Sequence, residues 1–204
     1  MGFTVAYVPG VTVSKWARIW AERVRDVPLE LLSITEPEQT AVLHDGRAQM
    51  CFVRGPVERA GMHVIALYTE VAVIVVPKEH AVALFDQVAL ADLGDERRVS
   101  SEDIPSSLAL VAAGLGIVVV PQSIARLHSR RDLVYRPVTD CPPTQIGLAW
   151  LADNDEKHIE EFVGIVRGRT ANSSRSSRPA EASPSQPSAA PRGRTRSKNR
   201  RKGR

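Results

Sequence analysis

The chain has 204 residues, of which 43% are hydrophobic, and this length allows one globular domain of about 150–170 residues plus additional chain. The net charge of +4 is uneven: residues 170–204 hold ten Lys and Arg against one acid, whereas residues 1–169 hold seventeen basic and twenty-two acidic residues. Two cysteines exclude a disulfide framework, and no apolar run reaches the roughly 20 residues of a membrane-spanning helix. Because Met1-Gly2 leads directly into a strand pattern without a signal peptide, we expect a reducing, cytoplasmic compartment.

The first fifty residues alternate between strand and helix patterns. Strands are predicted from period-two alternation, and helices from apolar residues three or four apart. The predicted elements, in order, are strand Phe3–Val8, helix Lys15–Arg25 with Thr12 or Ser14 as N-cap, strand Pro28–Ile34, short helix Glu36–Leu43 and strand Ala48–Val53. This alternation favours a parallel sheet with right-handed crossovers, and therefore an α/β fold.

The rest of residues 1–169 contains further strands and helices. The predicted strands are Met62–Thr69, Val71–Val76, a short one at Arg98–Ser101, Ile117–Val120, Leu133–Val138 and Gln145–Leu151. The predicted helical segments are Lys78–Phe85 (helix or turn), a turn within Val88–Gly94, Pro105–Ala113, Pro121–Leu127 and Asp155–Val166. Residues 171–204 contain no aromatic residue and no aliphatic side chain larger than Ala, so we expect residues 170–204 to form a disordered tail.

Four segments in the same order resemble the effector-binding domain of LysR-type transcriptional regulators. They are Asp45–Arg54, Leu67–His80, Val88–Leu93 and Leu110–Pro121, the last reading LVAAGLGIVVVP. Together the resemblance covers about residues 3–167. It implies a fold similar to periplasmic binding proteins, with two Rossmann-like subdomains joined by crossing strands and a small effector bound between them.

The resemblance has two departures that bear on function. We expect neither a helix-turn-helix domain nor a linker helix before Phe3, where the family carries its DNA reader. The family also has several dozen residues more between the segments that end at Leu93 and begin at Leu110, where this chain has only sixteen, residues 94–109. We therefore expect a second subdomain that lacks about one strand and one helix, with a shallow or open cleft.

The turn after the first strand is the first candidate for effector binding. Thr12, Val13 and Ser14 follow the carboxyl end of a strand and open a helix, where free backbone N–H groups and the helix dipole attract anions. Capping of the helix by Thr12 or Ser14 is the alternative interpretation. Arg54, directly after a buried strand, could reach an effector carboxylate, or could form a surface ion pair instead.

The loop at Leu115 and Gly116 is the second candidate. The resemblance implies that this loop lines the cleft, whereas the local pattern alone indicates a helix end at Gly114 and a tight entry into the next strand. The five histidines lack partners at metal-ligand spacing, and no arrangement typical of catalysis is present. We therefore predict no metal site, no cofactor and no enzymatic activity.

The tail carries the candidate nucleic-acid contacts. Pro191-Arg192-Gly193-Arg194-Thr195 resembles an AT-hook core, and a short Arg-Gly-Arg segment fits a narrow minor groove. The predicted DNA-contacting residues are Arg192, Arg194, Arg196, Lys198, Arg200, Arg201 and Lys202. A solubilising or non-specific polybasic tail is the alternative.

Two functional hypotheses follow. The first is a cytoplasmic regulatory domain that senses a small anionic metabolite and pairs with itself or with a full-length regulator. The second is a DNA-associated dimeric scaffold whose tail binds nucleic acid. No membrane association is predicted, and an enzyme or a solute receptor is the least favoured alternative.

Overall fold

A computed structural model describes residues 2–101 and 103–169 of the chain. The predicted disordered tail, residues 170–204, and the AT-hook-like segment within it lie outside these residues. In chain order the elements are β1 (Phe3–Tyr7), α1 (Ser14–Arg23), β2 (Leu29–Ser33), α2 (Ala41–His44), β3 (Met50–Arg54), β4 (Met62–Glu70), β5 (Ala72–Pro77), α3 (Ile104–Ala112), β6 (Val118–Pro121), α4 (Gln122–Leu127), β7 (Leu133–Pro137), β8 (Thr144–Leu151) and α5 (His158–Val166). Short 3-10 helices lie at Glu36–Glu38, Ala81–Leu84 and Leu90–Leu93.

The strands form two sheets. We call residues 2–70 and 144–169 the first lobe, which is built on a five-stranded sheet of order β2-β1-β3-β8-β4. Residues 71–143 form the second lobe, built on a three-stranded sheet of order β6-β5-β7. The chain passes between the lobes where β4 leads into β5 and where β7 leads into β8. Two α/β lobes joined by two connections confirm the predicted fold class.

The parallel part of the first sheet confirms the prediction made from alternating strands and helices. β1 pairs in parallel with β2 and with β3, and β8 runs antiparallel to both β3 and β4. The carboxyl ends of β1, β2 and β3 consequently meet at one edge of the sheet. Open α/β sheets bind ligands at such an edge.

The first lobe has an aromatic core. Phe3 stacks on Trp20 with 4.9 Å between ring centroids, and Phe162 packs against Phe3, Trp20 and Phe52 at 5.8–6.0 Å. These four side chains are buried, and the Trp20 ring donates a 2.8 Å hydrogen bond to the Val27 carbonyl. The rings fix α1 and α5 against the sheet, and thereby the start of α1 at the sheet edge.

The second lobe has an aliphatic core instead. Its sheet is entirely antiparallel, and isolated bridges at Arg98–Ile117 and Val88–Val138 extend it on either side. Ten of the sixteen buried residues of this core are valines, five of them from β5 and β6, and α3 and α4 cover one face of the sheet. The connection before α3 ends at Asp103, whose carboxylate caps the helix by accepting a 2.7 Å hydrogen bond from the Ser106 N–H.

Three predicted elements differ in detail. The helix predicted at Glu36–Leu43 is split into a 3-10 helix, whose start is held by hydrogen bonds from Thr35 to Glu38, and α2. The strand predicted at Arg98–Ser101 is reduced to the single bridge at Arg98. The N-cap of α1 is Val13, without a side-chain hydrogen bond, so neither Thr12 nor Ser14 caps this helix.

Candidate functional site

A cavity of about 850 Å³ lies between the two lobes. The first lobe contributes the carboxyl ends of β1 and β2 with the turn that opens α1, and the second lobe contributes α4 and the residues that follow it. The end of β4 and Val71, together residues 68–71, form the wall between them. The cavity therefore occupies the sheet edge at which α/β folds bind small molecules.

The turn from β1 into α1 has free donors next to this cavity. Gly10 has a φ of +86°, and the buried side chains of Val11 and Val13 anchor the turn on either side of exposed Thr12. The Val13 carbonyl accepts hydrogen bonds from the N–H groups of Trp16 and Ala17, both at 3.0 Å. Among the described residues, the N–H groups at positions 12–14 find no backbone or side-chain acceptor. These donors and the helix dipole favour an anion.

The cavity wall is rich in hydroxyl groups and poor in net charge. Hydroxyls come from Tyr7, Thr12, Ser33, Tyr68, Thr69 and Ser123. Arg126 and Glu70 are the cationic and anionic groups on the wall, and burial together with the nearby Glu70 charge raises the pKa of the Tyr68 phenol. Val71 and Leu127 add apolar surface, and the Leu127 side chain is 56% exposed. Such a wall suits a small organic molecule with an apolar body and hydrogen-bonding groups.

The Arg54 side chain lies inside the protein, where it contacts four other residues. Its side chain is only 3% exposed and is absent from the cavity lining. The guanidinium donates to the Pro9 carbonyl at 2.8 Å, to Ser123 Oγ at 3.1 Å and to Glu70 Oε2 at 3.2 Å, and it also contacts Glu36. The protein itself therefore satisfies this cation.

Leu115 and Gly116 are not brought together with Thr12. They lie in the loop between α3 and β6, outside the lining of the cavity, and the Leu115 side chain is 48% exposed. Gly116 has a φ of +151°, and a Cβ atom there would collide with the Arg97 carbonyl. The tight entry into β6 predicted from the local pattern explains this glycine.

Val13 and Ser14 also differ from Thr12 in placement. Thr12 lines the cavity, whereas the Val13 side chain is buried in the first-lobe core and Ser14 is exposed as the first residue of α1. Any effector contact at these two positions would therefore go through the backbone.

Sequence reasoning missed the contribution of α4. Gln122, Ser123 and Arg126 line the cavity, and α4 follows directly after buried β6 and Pro121. Thr12 is predicted as a ligand contact because a helix begins directly after an apolar strand. The same pattern, in β6 and α4, predicts a ligand contact at Ser123. Residues 68–71 carry no comparable local signal.

Three features of the described residues bear on metal binding, on membrane insertion and on thiol reactivity. In residues 2–101 and 103–169, no three His, Cys, Asp or Glu side chains come together as metal ligands would. No helix in those ranges combines the length and apolarity that crossing a membrane requires. Burial raises the pKa of the Cys51 thiol to about 12, which keeps this cysteine protonated and unreactive near neutral pH.

Comparisons with known proteins agree with the fold. The sequence model of the LysR substrate binding domain matches residues 3–103 and 96–171, and the two matches overlap at the short connection before α3. The chain is 23% identical to the Hca operon transcriptional activator HcaR of Escherichia coli and 22% identical to the HTH-type transcriptional regulator AlsR of Bacillus subtilis. The alignments cover 83% and 72% of this chain, and they span 68% and 59% of those relatives.

Solved structures of the same fold include effector-binding domains. The BenM effector-binding domain with its effector benzoate superimposes with a TM-score of 0.70 at 20% identity, covering 81% of this chain and 90% of that one. A regulatory-domain variant of OxyR from Pseudomonas aeruginosa gives 0.67 at 18% identity, covering 82% and 96%. HcaR and AlsR are a transcriptional activator and a transcriptional regulator by name, and the two solved domains are an effector-binding domain and a regulatory domain. The chain belongs to the LysR substrate-binding domain family, the effector-binding domains of LysR-type transcriptional regulators.

Proposed function

We propose that this domain senses a small organic anion bound in the cavity between the lobes, and that it regulates transcription in the cytoplasm. The observation that carries the proposal is the turn at residues 12–14, whose unpaired N–H groups lie beside a wall of hydroxyls. Because Arg54 is occupied by protein partners, the charge of the anion would be met by these N–H groups, by Thr12 and by Arg126. Effector contact by Leu115 and Gly116 remains a prediction. These two residues lie on a different loop, outside the lining of the cavity.

The test is a thermal-shift screen of the full chain against organic acids. Benzoate is the first probe because it is the effector in the BenM domain, and aliphatic acids, amino acids and other aromatic acids complete the panel. An acid at a hundred times its Kd should stabilise the protein by about 2.7 kcal/mol. If no class of acid stabilises it at millimolar concentration, sensing is refuted.

The Thr12→Asp variant places a negative charge where the anion would bind. It should abolish stabilisation by the acid without unfolding the protein, because aspartate is favourable near a helix start. The matched control is Thr40→Asp, the same change at the N-cap of α2, outside the cavity lining. Equal loss in both variants would count against the assigned site.

Pairing is the second part of the proposal. The domain would associate with a second copy or with a full-length regulator, and it would act on transcription through that partner. Light scattering of the purified chain separates a dimer from a monomer. If the chain is a monomer at all accessible concentrations, self-association is refuted, and a full-length regulator remains the proposed partner.

A DNA-associated scaffold is the second candidate, and the ten basic residues of segment 170–204 favour it. Contacts to six to eight phosphates would lower the affinity by orders of magnitude between roughly 50 and 200 mM salt. Replacing Arg192 and Arg194 by Ala should weaken binding to A·T-rich duplexes selectively if the AT-hook-like interpretation holds. Tight DNA binding by residues 1–169 alone would contradict this assignment.

A further inference from the structure

Arg54 lies behind the cavity wall and joins the segments that form it. The residue ends β3, and the Gln39 side chain holds its backbone in place: the Arg54 N–H donates to Gln39 Oε1 at 2.9 Å, and Gln39 Nε2 donates to the Arg54 carbonyl at 3.1 Å. Arg54 is absent from the lining of the cavity, yet three of its side-chain partners, Pro9, Glu70 and Ser123, line it.

These partners come from both lobes. Pro9 belongs to the turn before α1, Glu70 ends β4 at the connection between the lobes, and Ser123 lies in α4 of the second lobe. The contact to Ser123 spans 69 positions of sequence. A planar guanidinium can serve several acceptors at once, which a lysine ammonium in the same position would not reproduce.

The close approach at Ser123 also depends on Gly10. A Cβ atom on Gly10 would collide with Ser123 Oγ and would lie 3.0 Å from Arg54 Nη2. The φ of +86° at Gly10 independently disfavours any other residue. The turn, the guanidinium and α4 therefore form one tightly packed junction.

The junction also sets the charge of the wall. The side chains of Arg54 and Glu70 are 3% and 7% exposed, so the Glu70 carboxylate is buried with its cationic partner. Without Arg54, this carboxylate would face the cavity uncompensated and would repel an anion. Removal of the guanidinium would thus disturb both the shape and the charge of the site.

We infer that Arg54 is the positioning residue of the effector cavity: it joins the β1–α1 turn to α4 across the lobes and neutralises Glu70 in the wall. The inference rests on the proposed function for its role in binding, whereas the joining of the lobes can be measured without any ligand. Both parts are tested on the full chain.

Hydrogen exchange tests the joining of the lobes. In Arg54→Met, the hydrogen-bonded amides of Val11, Trp16 and Ala17 and those of residues 122–127 should exchange about tenfold faster or more, because buried hydrogen bonds to a charged group are lost on both sides. The matched control is Arg47→Met, which removes an exposed arginine that pairs with Glu38 and Asp45. This control should leave both segments unchanged.

A purely local role for Arg54 would change exchange in the first lobe alone. Unchanged exchange of residues 122–127 in Arg54→Met would therefore overturn the inference. If that variant does not fold, Ser123→Ala decides instead, since it removes one contact and keeps the ion pair. Faster exchange of the Val11, Trp16 and Ala17 amides in Ser123→Ala supports the junction, and unchanged exchange there refutes it.

Benzoate binding tests the charge. Where benzoate stabilises the wild-type chain, Arg54→Met should lose that stabilisation, and the double variant Arg54→Met, Glu70→Gln should recover part of it. Equal loss in the single and double variants would refute neutralisation of Glu70. If neither benzoate nor any other acid of the panel stabilises the wild type, the proposed function fails, and hydrogen exchange alone then decides the inference.

Discussion

The cores of the two lobes are built from different classes of side chain. The first lobe covers a five-stranded sheet with helices locked by Phe3, Trp20, Phe52 and Phe162, whereas the buried residues of the second lobe are aliphatic and its sheet has three strands. Large rings bury more area for each residue that is ordered, so we expect the first lobe to be the more stable of the two. The cavity consequently has one wall fixed by aromatic packing and one wall fixed by a short helix and the Arg54 junction.

Loss of a ring from the aromatic core should have the greatest effect. Phe162→Ala should lower the free energy of unfolding by about 3–5 kcal/mol, because it opens a cavity among three other rings. The control is Phe85→Ala in the second lobe, where the ring is 58% exposed and its loss should cost less than about 0.5 kcal/mol. Denaturant titration measures both. Similar losses would contradict the stabilising role of the aromatic core in the first lobe.

A more moderate effect is expected at the short connection of the second lobe. Asp103 caps α3 through its bond to the Ser106 N–H, so Asp103→Ala should lower the free energy of unfolding by about 1 kcal/mol. Asp103→Ser should retain most of this stability, because serine is also a good N-cap. Asp86→Ala, at an exposed position, is the control. An Asp103→Ala variant as stable as the wild type would show that the connection does not depend on its cap.

The smallest effect is expected from a change at Asp140 in the second lobe, measured as the loss of stability at acidic pH. The Asp140 carboxylate accepts hydrogen bonds from the N–H groups of Leu90 and Ala91 at 2.7 and 3.0 Å, and these bonds lower its pKa below the ordinary value of 3.8. A lowered folded-state pKa contributes stability above the unfolded value that is lost as the pH falls through the folded value. Asp140→Asn should therefore flatten the loss of stability on acidification below about pH 4. An unchanged slope in thermal melts would contradict this role, and Asp153→Asn is the exposed control.

Features that depend on residues close together in the sequence could be predicted from the sequence. The order of β1, α1, β2 and β3 follows from local periodicity, and the position of Thr12 follows from its place at the end of a strand. The family resemblance adds the two lobes and the shortened connection. The fold class and the first-lobe half of the cavity are therefore encoded in local sequence patterns and family motifs.

The partners of Arg54 could not be predicted in the same way. Glu70, Pro9 and Ser123 lie 16, 45 and 69 positions away, and no periodic pattern encodes which acceptors a buried guanidinium will meet. The direction of this side chain is decided by the packing of the two lobes. Leu115 and Gly116 show a second limit of prediction. A role inferred from a family resemblance does not determine where the loop lies in a second lobe that is shorter than in the family.

The most direct test of an effector site between the lobes is hydrogen exchange of the full chain with and without saturating benzoate, or with the acid of the panel that stabilises it most. We expect slower exchange in residues 9–16, 68–71 and 122–127 together, because a molecule between the lobes contacts all three segments. Protection confined to a single lobe, or protection elsewhere with these segments unchanged, would contradict an effector site between the lobes.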